Sequence, residues 1–143
     1  MIELSYAKIL SPNDVGETNS HQAGICIPKS DSELLEFFPK LDPGIKNDDT
    51  WIVCVDERSN DWHFRYVYYN NKLHDPKGTR NEFRLTHMTK YFNSVGAKSG
   101  DKLVLSKKKE GSYGIEIHSS SSNKSTGNLK SKKVKLTGWT RMH

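Results

Sequence analysis

The chain has 143 residues, of which 34% are hydrophobic, and it carries a formal net charge of +5. This length predicts a single domain over residues 1–143, and the longest apolar run, residues 51–55, is too short to cross a membrane. The N-terminus has no signal-peptide pattern, and Cys26 and Cys54 are too few for a disulfide scaffold, so we expect a soluble, intracellular protein with both thiols buried and reduced.

Alternation of apolar and polar residues, the pattern typical of half-buried strands, runs through most of the chain. In chain order, the predicted strands cover residues 2–10, 24–28, 50–57, 61–69, 102–106, 113–118 and 133–139. Residues 109–112 have the composition of a hairpin turn between the fifth and sixth of these strands. In the fourth strand every second residue from Trp62 to Tyr68 is aromatic, which predicts that this face lies in the core.

Two short helices are predicted among the strands. Residues 30–33 (SDSE) have the spacing of a capping box, and an apolar stretch follows them before Pro39 ends the helix. The second helix covers about residues 86–93, with Thr86 as its N-cap and Gly96 beyond its end. Seven strands with two short helices at this spacing predict a mostly β, largely antiparallel barrel.

The C-terminal third differs in charge from the rest of the chain. Residues 1–101 contain 12 Lys and Arg against 15 Asp and Glu, whereas residues 102–143 contain 10 against 2. Within this third, residues 119–133 are too polar to pack and are expected to form a mobile loop. Because charge concentrated in this way usually faces a polyanion, the distribution favours nucleic acid as a partner.

No catalytic centre is evident in the sequence. The one Asp/Glu-x-Lys triplet of the kind that metal-dependent nucleases use is Asp75-Pro76-Lys77, in a stretch with the composition of a turn. The six histidines are not paired at the spacing of zinc ligands, and no phosphate-binding or hydrolase fingerprint is present. We therefore expect no active site and no cofactor here, with a small Mg²⁺-dependent nuclease using Asp75 and Lys77 as the enzymatic alternative.

Two polar segments contain the residues best suited to recognise a ligand. Residues 11–24 form a long connection between two strands and contain His21 and Gln22, which can donate and accept hydrogen bonds. From the residues alone, an ordinary surface loop is the favoured interpretation of this segment.

The second segment is residues 79–85. If it is extended, Arg80, Glu82 and Arg84 project from one face. Arginine can donate two hydrogen bonds to guanine, and glutamate can accept one from the cytosine amino group, so this row suits G·C base pairs in a major groove. From these residues alone, a surface ladder of paired charges is the favoured interpretation, because such ladders are common on strands.

The two segments together resemble a known family. Residues 8–18 (KILSPNDVGET) and 21–24 (HQAG) resemble the opening of the N-terminal effector domain of the EcoRII restriction endonuclease. Residues 68–70 (YYN) and 79–86 (TRNEFRLT) resemble the second motif of that domain, in the same order and at the same separation, so the resemblance spans roughly residues 6–118. It implies a B3-like DNA-binding pseudobarrel of about seven strands with two short helices.

The resemblance also implies which residues contact DNA. In that family two arms grip duplex DNA and, in EcoRII-type domains, read CC(A/T)GG in the major groove. The N-arm corresponds to about residues 8–24 and the C-arm to about residues 70–84. Base-reading roles fall on His21, Arg80, Glu82 and Arg84. Further DNA contacts are expected at Lys8, Asn13, Asp14, Ser20, Gln22, Lys77, Thr79 and Asn81.

The sequence departs from the family pattern at several positions. The lysine expected two positions before Arg80 is Gly78, although Lys77 lies beside it. A basic residue expected after Glu82, a tyrosine after the N-arm and a basic residue after Lys8 are replaced by Phe83, Cys26 and Ile9. Base-reading residue types are retained while phosphate contacts change, which predicts similar specificity on a shifted footprint.

The resemblance implies a monomeric recognition domain that binds DNA without cutting it. Such a domain acts as an effector or autoinhibitor in a type IIE-like restriction endonuclease, fused to a nuclease domain that holds Mg²⁺, in the bacterial cytoplasm. The alternative among binding proteins is a sequence-tolerant single-stranded DNA or RNA barrel. In that case Tyr66, Tyr68 and Tyr69 would form a platform on which bases stack.

Overall fold

The computed structural model describes residues 4–16, 24–108, 110–119 and 139–141. These contain eight strands and three short helices. The elements are β1 (Leu4–Ile9), β2 (Gly24–Ile27), α1 (Ser32–Phe37), β3 (Asp49–Val55), β4 (Asp61–Tyr69), α2 (Asn71–His74), β5 (Glu82–Thr86), α3 (Thr89–Val95), β6 (Lys102–Lys107), β7 (Tyr113–His118) and β8 (Trp139–Arg141).

The strands form one curled sheet in the order β2-β5-β4-β3-β7-β6-β1-β8. All neighbouring strands are antiparallel except β3 and β7, which pair in parallel over two residues each. This open, half-barrel sheet agrees with the predicted mostly β architecture. No helix in the described ranges is long and apolar enough to cross a membrane.

Aromatic side chains fill much of the core inside the sheet. The predicted inward face of β4 is confirmed, since Phe64, Tyr66 and Tyr68 are buried. The ring of Tyr68 stacks on that of Phe83 in the neighbouring strand β5, with centroids 4.1 Å apart. Trp139 of β8 is fully buried, and its indole N–H donates a 3.1 Å hydrogen bond to the Cys26 carbonyl. The large side chains thus compensate for the modest apolar fraction of the chain.

The first predicted helix is confirmed and the second is displaced. The N-cap of α1 is Asp31, one residue later than Ser30 of the predicted capping box, and the Asp31 side chain accepts a 3.1 Å hydrogen bond from the backbone N–H of Leu34. The prediction of a helix over residues 86–93 capped by Thr86 is wrong at its start, because Thr86 is the last residue of β5. Thr86 pairs with strands on both sides, and the chain then turns at His87, whose φ is +67°.

Two elements were not predicted as such. Helix α2 lies in a stretch predicted to be a turn, and β5 raises the number of strands to eight. The predicted last strand, residues 133–139, falls mostly outside the described residues, and β8 extends past its end. The predicted mobile loop, residues 119–133, also lies outside them except for its first residue.

The two cysteines differ in their environment. Cys54 is buried, and burial raises the pKa of its thiol to about 12. Cys26 is only half-buried, which corrects the expectation that both thiols lie in the interior, and burial raises the pKa of its thiol as well. Neither is part of a disulfide in the described structure.

Candidate nucleic-acid interface

The roots of the two arms lie side by side in the sheet. Strand β2 begins where the N-arm ends, β5 contains the last residues of the C-arm, and the two strands pair antiparallel. Gly24 faces Thr86 in this ladder, and a Cβ at Gly24 would lie 2.8 Å from the Leu85 carbonyl oxygen. A glycine therefore allows the N-arm root to approach the C-arm strand this closely.

An ion pair and three hydrogen bonds hold the base of the N-arm. The ammonium group of Lys8 lies 2.5 Å from Asp14 Oδ2, and the two side chains are only 11% and 9% exposed. The same carboxylate oxygen accepts the backbone N–H of Ser11 at 2.9 Å, and the Ser11 hydroxyl accepts the Asp14 N–H at 3.2 Å. The Asp14 carbonyl accepts the Gly24 N–H at 3.0 Å, which ties the two ends of the arm together.

A buried asparagine holds the base of the C-arm. Asn70 is fully buried at the end of β4, and its side-chain oxygen accepts the backbone N–H of Asn47 at 2.7 Å. Its amide donates to the carbonyl oxygens of Ile45 at 3.0 Å and Pro43 at 3.4 Å. Asn47 returns the contact by accepting the backbone N–H of Asn70 at 3.1 Å. The loop before β3 thus supports the start of the C-arm.

The C-arm itself closes on its first helix. The side chain of Asn71 accepts the backbone N–H of Arg80 at 2.8 Å, and the Arg80 carbonyl accepts the N–H of Lys72 at 3.0 Å. Gly78 passes so close to α2 that a Cβ would lie 2.1 Å from the Asn71 carbonyl oxygen. This contact is a physical reason for glycine where the family pattern has lysine.

The predicted Arg80–Glu82–Arg84 row divides into two parts. Arg80, just before β5, donates to Glu82 Oε2 from Nη2 at 2.5 Å and from Nε at 3.2 Å. The centre of its guanidinium group also lies 3.9 Å from the ring centroid of Tyr69. Arg84 points away from this pair, toward the N-arm root, where its Nη2 lies 3.4 Å from the Gly24 carbonyl oxygen. One arginine therefore belongs to the C-arm surface and the other to the junction of the two arms.

The other predicted contact residues are spread over both arms. Asn13 is exposed on the N-arm turn, and Lys77 and Thr79 are exposed on the C-arm. Asn81 is half-buried and accepts a 2.6 Å hydrogen bond from the Tyr68 hydroxyl. The remaining three, Ser20, His21 and Gln22, lie outside the described residues.

The C-arm surface is basic although the first 101 residues are acidic overall. Residues 70–84 contain four cations, Lys72, Lys77, Arg80 and Arg84, against the two carboxylates of Asp75 and Glu82. Asp75 also forms an exposed pair with Lys46 of the loop before β3, in which Lys46 Nζ lies 2.7 Å from the Asp75 carboxylate and both side chains are about half exposed. A surface with this excess of positive charge attracts phosphate groups.

The structure also locates the residues of the two alternatives. The carboxylate of Asp75 pairs with Lys46, and among the described residues no three His, Cys, Asp or Glu side chains lie close enough to hold a metal ion together. Tyr66 and Tyr68 are buried, and the ring of Tyr69 lies beneath Arg80, so these three side chains do not form an open stacking platform.

Sequence reasoning missed two residues that organise the arms. Tyr69, considered only as a base-stacking residue, contacts the predicted base reader Arg80. The alternation in β4 places Tyr69 on the outward face, and this position could have indicated a contact with the arm. Asn70, noted only as part of the family motif, is the buried support of the C-arm, and no local pattern distinguishes it from a surface turn residue.

Comparison with known proteins gives a family and a fold. The family profile described as "Restriction endonuclease EcoRII, N-terminal" matches residues 3–130. The solved structure of an Arabidopsis FUS3–DNA complex is similar with a TM-score of 0.58, at 22% sequence identity, covering 78% of this chain and 93% of that one. This likeness confirms the predicted B3-like fold. No curated protein matches the chain.

Proposed function

Because the chain belongs to the family of the N-terminal domain of the EcoRII restriction endonuclease, we propose that it is the DNA-recognition domain of a restriction endonuclease. It binds a short, CCWGG-like duplex site with its N-arm and C-arm in the major groove, and it does not itself cut DNA. In the parent protein it is joined to a separate Mg²⁺-dependent nuclease domain, and the recognition domain is monomeric.

The observation that carries this proposal is the side-by-side placement of the arm roots. Pairing of β2 with β5 places the C-arm strand beside the N-arm root, and Arg84 spans the two. A duplex that lies across this junction can contact both arms at once. The Arg80–Glu82 pair offers a guanidinium group for guanine and a carboxylate for the cytosine amino group.

Affinity and specificity have different sources in this arrangement. Lysines of the C-arm and of the basic C-terminal third neutralise phosphates, which contributes to binding of any sequence. Each phosphate neutralised adds roughly 0.9 to the slope of the log–log dependence of affinity on salt. Arg80, Glu82, Arg84 and His21 supply the base contacts that distinguish one site from another.

A gel-shift panel tests the proposal directly. Duplexes containing CC(A/T)GG are compared with duplexes that carry each single base-pair change and with single-stranded oligonucleotides of the same sequence. We expect the intact site to bind best and each change at a G·C pair to weaken binding by about 1–3 kcal/mol. Equal affinity for all duplexes, preference for single strands, or Mg²⁺-dependent cleavage lost in Asp75→Ala would contradict it.

A further inference from the structure

The side chain of Tyr69 lies on the outward face of the sheet beneath a predicted base reader. It is the last residue of β4 and faces Glu82 across the ladder to β5. The guanidinium centre of Arg80 is 3.9 Å from the centroid of its ring, well within the range of a cation–π contact. Tyr69 and Glu82 therefore hold the same guanidinium group, one through its face and the other through its N–H edge.

The ring of Tyr69 is itself held at its other end. Its hydroxyl oxygen is 3.5 Å from Nη1 of Arg65, which lies four residues earlier on the same face of β4. Arg65 is bound in turn by the carboxylate of Asp49 in β3, with Nε 2.5 Å from Oδ2. This bond raises the pKa of the Arg65 guanidinium group above its ordinary value. The ring beneath Arg80 is thus connected, through Arg65 of the same strand, to the neighbouring strand β3.

Fixing Arg80 in advance matters because arginine loses much side-chain freedom when it reads a base. A guanidinium group whose plane is already positioned loses less on binding, and its fork meets guanine only in a narrow range of orientations. Nε and Nη2 of Arg80 contact Glu82, and within the described structure no hydrogen bond occupies its Nη1. That edge is available to a base while the ring and the carboxylate still hold the group.

We propose that Tyr69 is a positioning residue for base reading, which sets how sharply Arg80 distinguishes a G·C pair from other pairs. The inference rests on the proposed function, since it assigns Tyr69 a role in that same recognition. Tyr69 contributes little to affinity for random duplexes, because it acts through the orientation of a base-reading group and not through a phosphate contact.

Two substitutions separate the ring from its hydroxyl. Tyr69→Phe keeps the ring under Arg80, whereas Tyr69→Leu removes it. We expect Tyr69→Phe to retain the wild-type ratio of affinities for CC(A/T)GG and a duplex changed at one G·C pair, and Tyr69→Leu to lower that ratio about five- to tenfold with little change on random duplex. Trp51→Leu is the matched control, because Trp51 is a 52% exposed aromatic on the neighbouring strand whose ring contacts His87. It should leave the ratio unchanged.

A measurement on the free domain tests the geometry without DNA. Side-chain protons of Arg80 held over the Tyr69 ring should show upfield ring-current shifts by NMR, which Tyr69→Leu abolishes and Tyr69→Phe retains. The proposal is overturned if wild-type Arg80 shows no such shift, if Tyr69→Leu preserves the ratio, or if it weakens cognate and random duplexes equally. A domain that shows the shift but binds all duplexes alike would overturn the proposed function together with the role of Tyr69 in it, and leave the contact itself in place.

Discussion

The side chain of Arg84 meets the backbone of Gly24, 60 residues away in the chain, with Nη2 3.4 Å from the carbonyl oxygen. Arg84 lies in β5 and Gly24 begins β2, so the contact joins the strand of one arm to the root of the other. Arg80, four residues earlier, pairs instead with Glu82 of its own arm. The two arginines predicted to read bases therefore start from different surroundings.

Removing either arginine should reduce specificity more than general affinity. We expect Arg80→Ala and Arg84→Ala each to cost about 1–3 kcal/mol on the cognate duplex and far less on random duplex, because a lost fork to guanine affects one sequence only. Gel shifts on both duplexes measure the difference. Lys77→Ala is the control, since an exposed lysine should weaken both duplexes alike and flatten the salt dependence. Equal losses of affinity for both duplexes would mean that the arginines contact phosphates and do not read bases.

The Lys8–Asp14 pair should be important for stability of the N-arm base. Asp14→Asn leaves the Lys8 ammonium group without its counter-charge at a site where both side chains are at most 11% exposed. We expect a loss of about 2–4 kcal/mol in the free energy of unfolding, measured with urea. The matched control is Asp75→Asn, which breaks the exposed pair with Lys46 and should cost less than about 1 kcal/mol. Equal losses of stability in the two variants would show that burial does not make the Lys8–Asp14 pair more important than the exposed pair.

Asn70→Ala should destabilise the support of the C-arm. The substitution leaves the backbone N–H of Asn47, a half-buried residue, without its partner, whereas the Ile45 carbonyl keeps the backbone N–H of Asp48 at 3.3 Å. A buried polar group left unpaired costs about 1–3 kcal/mol, so we expect a loss of about 1–3 kcal/mol in the free energy of unfolding. Asn93→Ala, at an exposed position of α3, provides the comparison and should change stability by less than about 0.5 kcal/mol.

Substitution of Tyr91 by phenylalanine should not destabilise the protein, unlike the two preceding substitutions. Its ring packs against Trp62 and Phe64, but its buried hydroxyl has no hydrogen-bond partner within the described structure. Burial raises the pKa of this hydroxyl. Tyr91→Phe removes the unpaired group and keeps the ring. The free energy of unfolding should therefore stay the same or rise by up to about 1 kcal/mol, and thermal unfolding should show an unchanged or higher melting temperature. A clear loss of stability would indicate a partner for the hydroxyl.

Acid should weaken the turn between β3 and β4 through Asp56. Hydrogen bonds from the Trp62 indole N–H and from the backbone N–H groups of Asn60 and Arg58 lower the pKa of this carboxyl group. A pKa lowered by folding means that the contribution is fully present above about pH 5 and is lost as the pH falls through the folded-state pKa.

Thermal unfolding of Asp56→Asn tests this dependence. The variant should be less stable than wild type at pH 7, and the gap should narrow below about pH 4. The control is Asp61→Asn, which removes an exposed carboxylate at the start of β4 and should cost less stability at pH 7 than Asp56→Asn. A constant gap for Asp56→Asn would mean that its hydrogen bonds do not favour the charged form.

Local pattern was sufficient for elements that depend on one buried face. The aromatic alternation of β4 and the start of α1 could be recognised from sequence because neighbouring residues determine them, although the cap is Asp31 and not Ser30. The start of α3 could not, because ladder pairing with β2 and β4 keeps Thr86 extended. The same limit applies to the site, where residue types indicated Arg80 and Glu82, but their contact with Tyr69 depends on the register of two strands.

The bond between the Gly24 N–H and the Asp14 carbonyl has a consequence for how such domains can diversify. It closes the N-arm at its base, and the β2–β5 ladder fixes that base against the C-arm strand. Insertions beyond the tie need not shift the strand register, and doubling the length of a flexible loop costs only about 0.6 kcal/mol in closure entropy. The scaffold can therefore accommodate an N-arm of different length while the pairing of β2 with β5 stays the same.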